Sequence, residues 1–127
     1  MRGVILTLAL CLALAGCKTT EEALKETGKK PLTSAQIKGL LSGKTTVGTN
    51  TKGRSYEVMR AADGKMDLTA GSFSDKGKWW VEGPNLYCSQ WNKLRNGEKG
   101  CRRVYDIGEK YQFISLDGSE GAVFTIK

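Results

Sequence analysis

Four patterns of hydrophobic and polar positions succeed one another along the chain. Val4 to Leu14 is an almost unbroken aliphatic run. Lys18 to Lys30 is charged and polar, with no strand signal and a Gly-Lys-Lys-Pro ending. A weak helical tendency over Glu21 to Lys25 has no periodic apolar stripe to pack, so residues 17–31 are expected to be a flexible tether. From Thr33 the spacing is helical: Thr33-Ser34-Ala35-Gln36 has capping-box form, Ile37, Leu40 and Leu41 make one stripe, and Gly43 supplies a stop. This predicts one short helix that plugs or flanks a sheet.

After Gly43 the pattern changes to short segments rich in Thr, Val, Tyr, Trp and Phe. The predicted strands are Lys44 to Thr49, Ser55 to Ala61, Lys65 to Ala70, Lys78 to Glu82, Asn85 to Trp91, Cys101 to Ile107, Lys110 to Leu116 and Ala122 to Ile126. Between them lie turn signals at Asp63-Gly64, Asp75-Lys76-Gly77, Gly83-Pro84, Asn96-Gly97, Ile107-Gly108 and Asp117-Gly118. The expected fold of residues 32–127 is therefore mainly β: an antiparallel meander of about eight short strands closing into a small barrel or sandwich, with one N-terminal helix.

The start of the chain carries a targeting pattern. Arg2 precedes the aliphatic run, and Leu14-Ala15-Gly16-Cys17 closes it. The run is too short for a membrane-spanning helix, which needs about 20 apolar residues. These residues resemble the lipobox of bacterial lipoprotein precursors. The resemblance implies that residues 1–16 are a signal peptide, that the Cys17 thiol takes a diacylglycerol, and that the mature chain begins there, lipid-anchored to a membrane. Lys18 follows the cysteine where aspartate would retain a lipoprotein at the inner membrane, which implies the outer membrane, facing the periplasm.

Composition then narrows the partners. Of 20 Lys and Arg only Arg2 precedes Cys17, leaving 19 against 13 acids and a side-chain charge of +6 for the mature chain. Such a balance favours an anionic lipid or glycan of the envelope, or serves solubility alone. Nucleic acid is not expected as a partner for an exported lipoprotein. Of the four cysteines, Cys11 falls in the signal and Cys17 is the acylation site, so Cys88 and Cys101 are left to pair as a disulfide across the Asn96-Gly97 turn. No metal or other cofactor is expected, and the absence of histidine removes serine triads, cysteine–histidine dyads and histidine metal sites. Carboxylate chemistry has no local motif, because Asp63, Asp67, Asp75 and Asp117 fall mostly in turn contexts where aspartate caps backbone and faces water. No catalytic residue is assigned.

Two features suit binding. On the strand around Trp80, that ring shares a face with Lys78 and Glu82, opposite Trp79 and Val81, and is either a contact residue or covered by a loop. The cysteine-closed hairpin gathers Lys93, Arg95, Lys99, Arg102 and Arg103 around Trp91 and Leu94. This suits an anionic amphiphile or sugar phosphate, or is merely a solvated face. The segments Gly77-Lys-Trp79-Trp80-Val-Glu-Gly83, Leu86-Tyr-Cys88-Ser-Gln-Trp91 and Cys101-Arg-Arg-Val-Tyr105 resemble a family of small proteobacterial envelope domains of unknown function, a resemblance that implies no activity. Gly77-Lys78-Trp79 is also similar to the Gly-X-Trp of lipocalin-like barrels, but it lies mid-chain, so only the shape is shared. The expected function is a non-enzymatic periplasmic lipoprotein that binds an envelope lipid, glycan or protein. An envelope assembly factor acting through protein contacts, or an inhibitor of an exogenous hydrolase, is the alternative.

Overall fold

The structure, a computed structural model, describes residues 18–127. The expected leader, Cys11 and the acylation site Cys17 lie outside the described residues. Eight antiparallel strands close into a barrel in simple sequence order: β1 (Lys44–Thr49), β2 (Ser55–Arg60), β3 (Lys65–Ala70), β4 (Phe73–Glu82), β5 (Leu86–Trp91), β6 (Gly100–Asp106), β7 (Tyr111–Ser115) and β8 (Glu120–Ile126). Closure is made where β1 meets β8, from Thr46 opposite Ile126 to Thr49 opposite Val123. Closure removes the two full-length edge strands that an open sheet would carry.

The helix expected from Thr33 is α2 (Ser34–Leu41); α1 (Thr20–Glu26) precedes it. Both halves of the α2 capping box are present: Gln36 N donates to Thr33 Oγ1 at 3.1 Å and Thr33 N to Gln36 Oε1 at 2.9 Å. The stripe residues Ile37 and Leu41 are fully buried and plug one end of the barrel, where they join Met66, Trp79, Val104 and Phe124. Ser34 ties the plug to the β4–β5 turn, its Oγ donating to Gly83 O at 2.7 Å and its N–H to Pro84 O at 2.8 Å.

Three expectations need correction. Asp75-Lys76-Gly77 is not a turn: β4 runs straight through it, with Asp75 opposite Leu68 and Gly77 opposite Trp91. Nor does Asp75 face water. It is 3% exposed, and its carboxylate accepts N–H bonds from Lys76 (2.8 Å), Lys93 (3.1 Å) and Leu94 (3.0 Å). Burial pushes this carboxyl up, but the three amides together hold it below its ordinary value. Asn96-Gly97 does not form a two-residue turn either: the chain makes a 3-10 turn over Leu94–Gly97, with Arg95 and Asn96 both at φ 55°. Asp75 accounts for this, because it binds the start of the loop and draws it over the β4 edge.

The third correction concerns the spacer. Thr20–Glu26 is a helix held on the outside of β6 and β7, and a buried charge pins it there. Buried Glu21 accepts from Arg103 Nε at 2.6 Å, Arg103 Nη2 at 2.7 Å and Tyr105 Oη at 2.7 Å. Its backbone N–H donates to Gly118 O at 3.0 Å. The outward residues Tyr105 and Ile114 are fully buried. The bidentate arginine–carboxylate pair adds geometric specificity to the apolar surface that these two residues withdraw from water.

The closed barrel, its plug and the docked helix share residues 18–127, with one hydrophobic core. Cys88 and Cys101 sit directly opposite on β5 and β6, with sulfurs 2.07 Å apart, in a seam that pairs only from Tyr87–Arg102 to Ser89–Gly100. Closing a loop of 13 residues' separation stabilises a fold by roughly 3 kcal/mol in the chain-entropy description. Cys88→Ala/Cys101→Ala is therefore expected to lose about that much in urea unfolding. The α1 clasp should respond to acid. The Arg103 hydrogen bonds hold the Glu21 carboxyl below its ordinary 4.5, although burial pushes the other way. The clasp's contribution is thus fully present above about pH 4.5 and lost as pH falls through the depressed value. Hydrogen exchange at the Glu21 amide should accelerate there, and Glu21→Gln should abolish the acid response.

Candidate ligand site in the barrel lumen

Side chains fill only the plugged half of the barrel. The other half is a cup of about 820 Å³, open at the end opposite α2 and within the range of about 300–1,000 Å³ that small-molecule sites occupy. Its walls are the inward positions of the strands: Tyr56, Val58 and Arg60 from β2, Leu68 and Ala70 from β3, Tyr87, Ser89 and Trp91 from β5, Arg102 from β6 and Phe113 from β7. Two large rings lie flat because the strand beside each has a glycine at the paired position. Tyr56 opposes Gly48, where a Cβ would come within 2.5 Å of the ring, and Trp91 opposes Gly77, where a Cβ would come within 3.0 Å.

The floor is charged. Arg60 is 3% exposed; its Nε donates to Tyr87 Oη at 3.0 Å and its Nη1 to Thr46 Oγ1 at 2.8 Å, with the guanidinium 5.1 Å from the Tyr87 ring centre. Arg102 stands beside it, opposite Tyr87 on β6. Arg95 reaches in from the mouth, Nη2 donating to Ser89 Oγ at 2.8 Å across the space that Gly100 leaves open. Among the described residues no carboxylate forms an ion pair with Arg60, Arg95 or Arg102. The mutual effects are those of a crowded cationic site. Burial and then the Arg102 charge push the Arg95 guanidinium below its usual range. Burial raises the Tyr56 phenol while Arg60 and Arg102 pull it back.

The residues expected to form a binding hairpin are divided by the wall. Arg95 and Arg102 line the lumen, and Trp91 is buried within it. Lys93 stands at the rim, its ammonium 5.6 Å from the Phe73 ring centre and bonded to Ser74 O at 3.0 Å. Trp80 and Lys99 are outside the barrel, joined by Glu82: Trp80 Nε1 donates to Glu82 Oε2 at 2.7 Å, Lys99 pairs with the same oxygen at 2.8 Å, and its ammonium lies 5.7 Å from the Trp80 ring centre. Arg103 belongs to the α1 clasp. Glu82, Cys88 and Cys101 bring three potential metal ligands together, but the two sulfurs are bonded to each other and the carboxylate is already engaged, so the group does not fit a metal ion.

Sequence reading missed Arg60, Tyr56 and Tyr87. The signal was the period of two in Tyr56-Glu57-Val58-Met59-Arg60, which puts a charge in register with two inward apolar residues. No protein-family model, curated protein or solved structure matches the chain.

A buried cation with no counter-ion opposes folding, so a residue kept for stability and one kept for a ligand respond differently to removal. Arg60→Met is expected to leave thermal stability unchanged or higher. A fall of about 3 kcal/mol, the size seen when a buried ion pair is broken, would mean that Arg60 serves the fold.

Proposed function

We propose that this chain is a non-enzymatic, lipid-anchored envelope protein whose lumen holds a single-chain anionic amphiphile, head inward. The observation that carries the reading is Arg60, a buried guanidinium without a carboxylate, at the floor of an open cup. A carboxylate or phosphate head there meets Arg60, Arg102 and the Tyr56 hydroxyl, and charge-assisted bonds of this kind are the strong ones. The chain then runs toward the mouth along Val58, Leu68, Trp91 and Phe113. Inserted the other way, methylenes would lie on Arg60 and leave its charge dry and unpaired, which is costly. The Leu14-Ala15-Gly16-Cys17 pattern supports the anchor, and with it the outer membrane as the site of action.

Titration of residues 18–127 with palmitate, with lysophosphatidylglycerol and with hexadecanol tests this. Both anions should bind more tightly than the neutral alcohol, and the better of the two identifies the head group. A charged hydrogen bond is worth about 1.5–3 kcal/mol, so Arg60→Met and Arg102→Gln should each weaken the anions by roughly tenfold to a hundredfold while leaving hexadecanol unchanged. Equal binding of all three by parent and variants would remove the cationic floor from the reading, and tight binding of a sugar phosphate with no chain would replace the amphiphile by a glycan. Cys17→Ser in the full chain should abolish fatty-acid labelling in cells, and labelling that persisted would remove the anchor.

A further inference from the structure

Three independent features lie at one end of the barrel. The first is where the described chain begins. Thr19 packs against Gly118 in the β7–β8 turn, and the Glu21 amide bonds to the same residue, so Lys18 stands beside the open mouth and not beside the plug. The second is the distribution of exposed apolar side chains. Among the described residues only Met59, Phe73 and Leu116 are large, apolar and exposed, at 54%, 39% and 55%. Phe73 begins β4 at the mouth and Leu116 is in the turn beside Gly118, so two of the three sit at the rim; Met59 is on the flank of β2. The third is charge. Lys52, Arg54, Lys93 and Arg95 stand at this end above Arg60 and Arg102, against the acids Glu98, Asp117 and Glu120. Asn50 holds the first of these turns in shape by accepting from the Lys52 and Arg54 amides at 2.9 Å and 3.0 Å.

We propose that the mouth of the barrel docks on an anionic bilayer surface, with Phe73 and Leu116 entering the headgroup region and the rim cations lying on the lipid phosphates. Apolar tips set among lysines and arginines are the chemistry of an interfacial surface: the tips gain by leaving water, and the cations gain about 1 kcal/mol each near anionic lipid, roughly a fivefold change in affinity. Lys93 with Phe73 places an ammonium and a ring together at that boundary. A chain that leaves the rim at Lys18 reaches the same bilayer without crossing the barrel. Docked in this way, the lumen opens directly onto lipid, and an amphiphile passes between bilayer and cup without entering water. This rests on the lumen reading for what passes through the mouth, and not for which end docks.

The test is sedimentation of unlipidated residues 18–127 with vesicles of phosphatidylcholine containing phosphatidylglycerol, and with phosphatidylcholine alone. The parent should bind the anionic vesicles and lose affinity as salt is raised. Phe73→Ser/Leu116→Ser should weaken binding by roughly tenfold or more, and Met59→Ser should match the parent. Lys52→Gln/Arg54→Gln, which touches no apolar contact, should weaken binding to anionic vesicles only. Circular dichroism confirms that each variant is folded. A parent that does not sediment with anionic vesicles at low salt, or a Met59→Ser variant as weak as the rim variant, would overturn the proposal. Arg60→Met should dock like the parent while binding palmitate roughly tenfold to a hundredfold more weakly. If the parent itself binds no palmitate but follows the docking pattern, the lumen reading fails and the orientation stands.

Discussion

An eight-stranded barrel encloses a volume that must be filled by something, and the rest of this structure follows from how that demand is met. At this strand number the interior is just wide enough to be packed by side chains or to hold one small ligand. Here side chains pack one end, and the other is left as an open cup. Ile37 and Leu41 of α2 descend into one half and complete a core with Met66, Trp79, Val104 and Phe124. The aromatic series Trp79, Tyr87, Phe113 and Phe124, with ring centres 6.3, 5.0 and 4.7 Å apart in turn, starts and ends in that core and passes through the cup wall at Tyr87 and Phe113. The plugged half carries the packing energy, which frees the other half to hold charge.

Asp75 links the two halves of the β4–β5 region. Its carboxylate gathers the Lys93 and Leu94 amides, so the loop after β5 starts at a set height above the wall. Arg95 and Asn96 then accept left-handed backbone, and the guanidinium of Arg95 drops back to Ser89. One buried carboxylate on β4 therefore positions a cation at the mouth, while the disulfide clamps the short seam beside it.

The barrel was legible because strand periodicity and turn chemistry are local. Lys44–Thr49 and Lys65–Ala70 were bounded by their own residues, and the α2 cap by four consecutive ones. What the sequence hid were cases where a residue answers to a distant partner. Asp75 has the local look of a turn aspartate and is instead satisfied by amides 18 and 19 positions away. Glu21 looks like one more charge in a solvated stretch, yet it meets Arg103 and Tyr105 across 82 and 84 positions. The candidate site was half legible: clustering of basic residues found Arg95 and Arg102, but proximity along the chain also drew in Lys99, which pairs with Glu82 outside the barrel, and the strand period that singled out Trp80 had placed it on the outer face. Arg60 lies far from that cluster, and only the closure of the sheet brings it near.

Gly48 bears directly on the capacity of the cup, through Tyr56. A methyl group at Gly48 would meet only the far end of the Tyr56 side chain and push that ring off the wall, whereas one at Gly77 would meet the backbone oxygen of Gln90 first and disturb the β4–β5 ladder. The volume of the cup is thus adjustable at one position that contributes no side chain of its own, while the charge of its floor is set separately, by Arg60 and Arg102. A barrel of this kind can therefore change the space it encloses by a single residue without relearning how to fold.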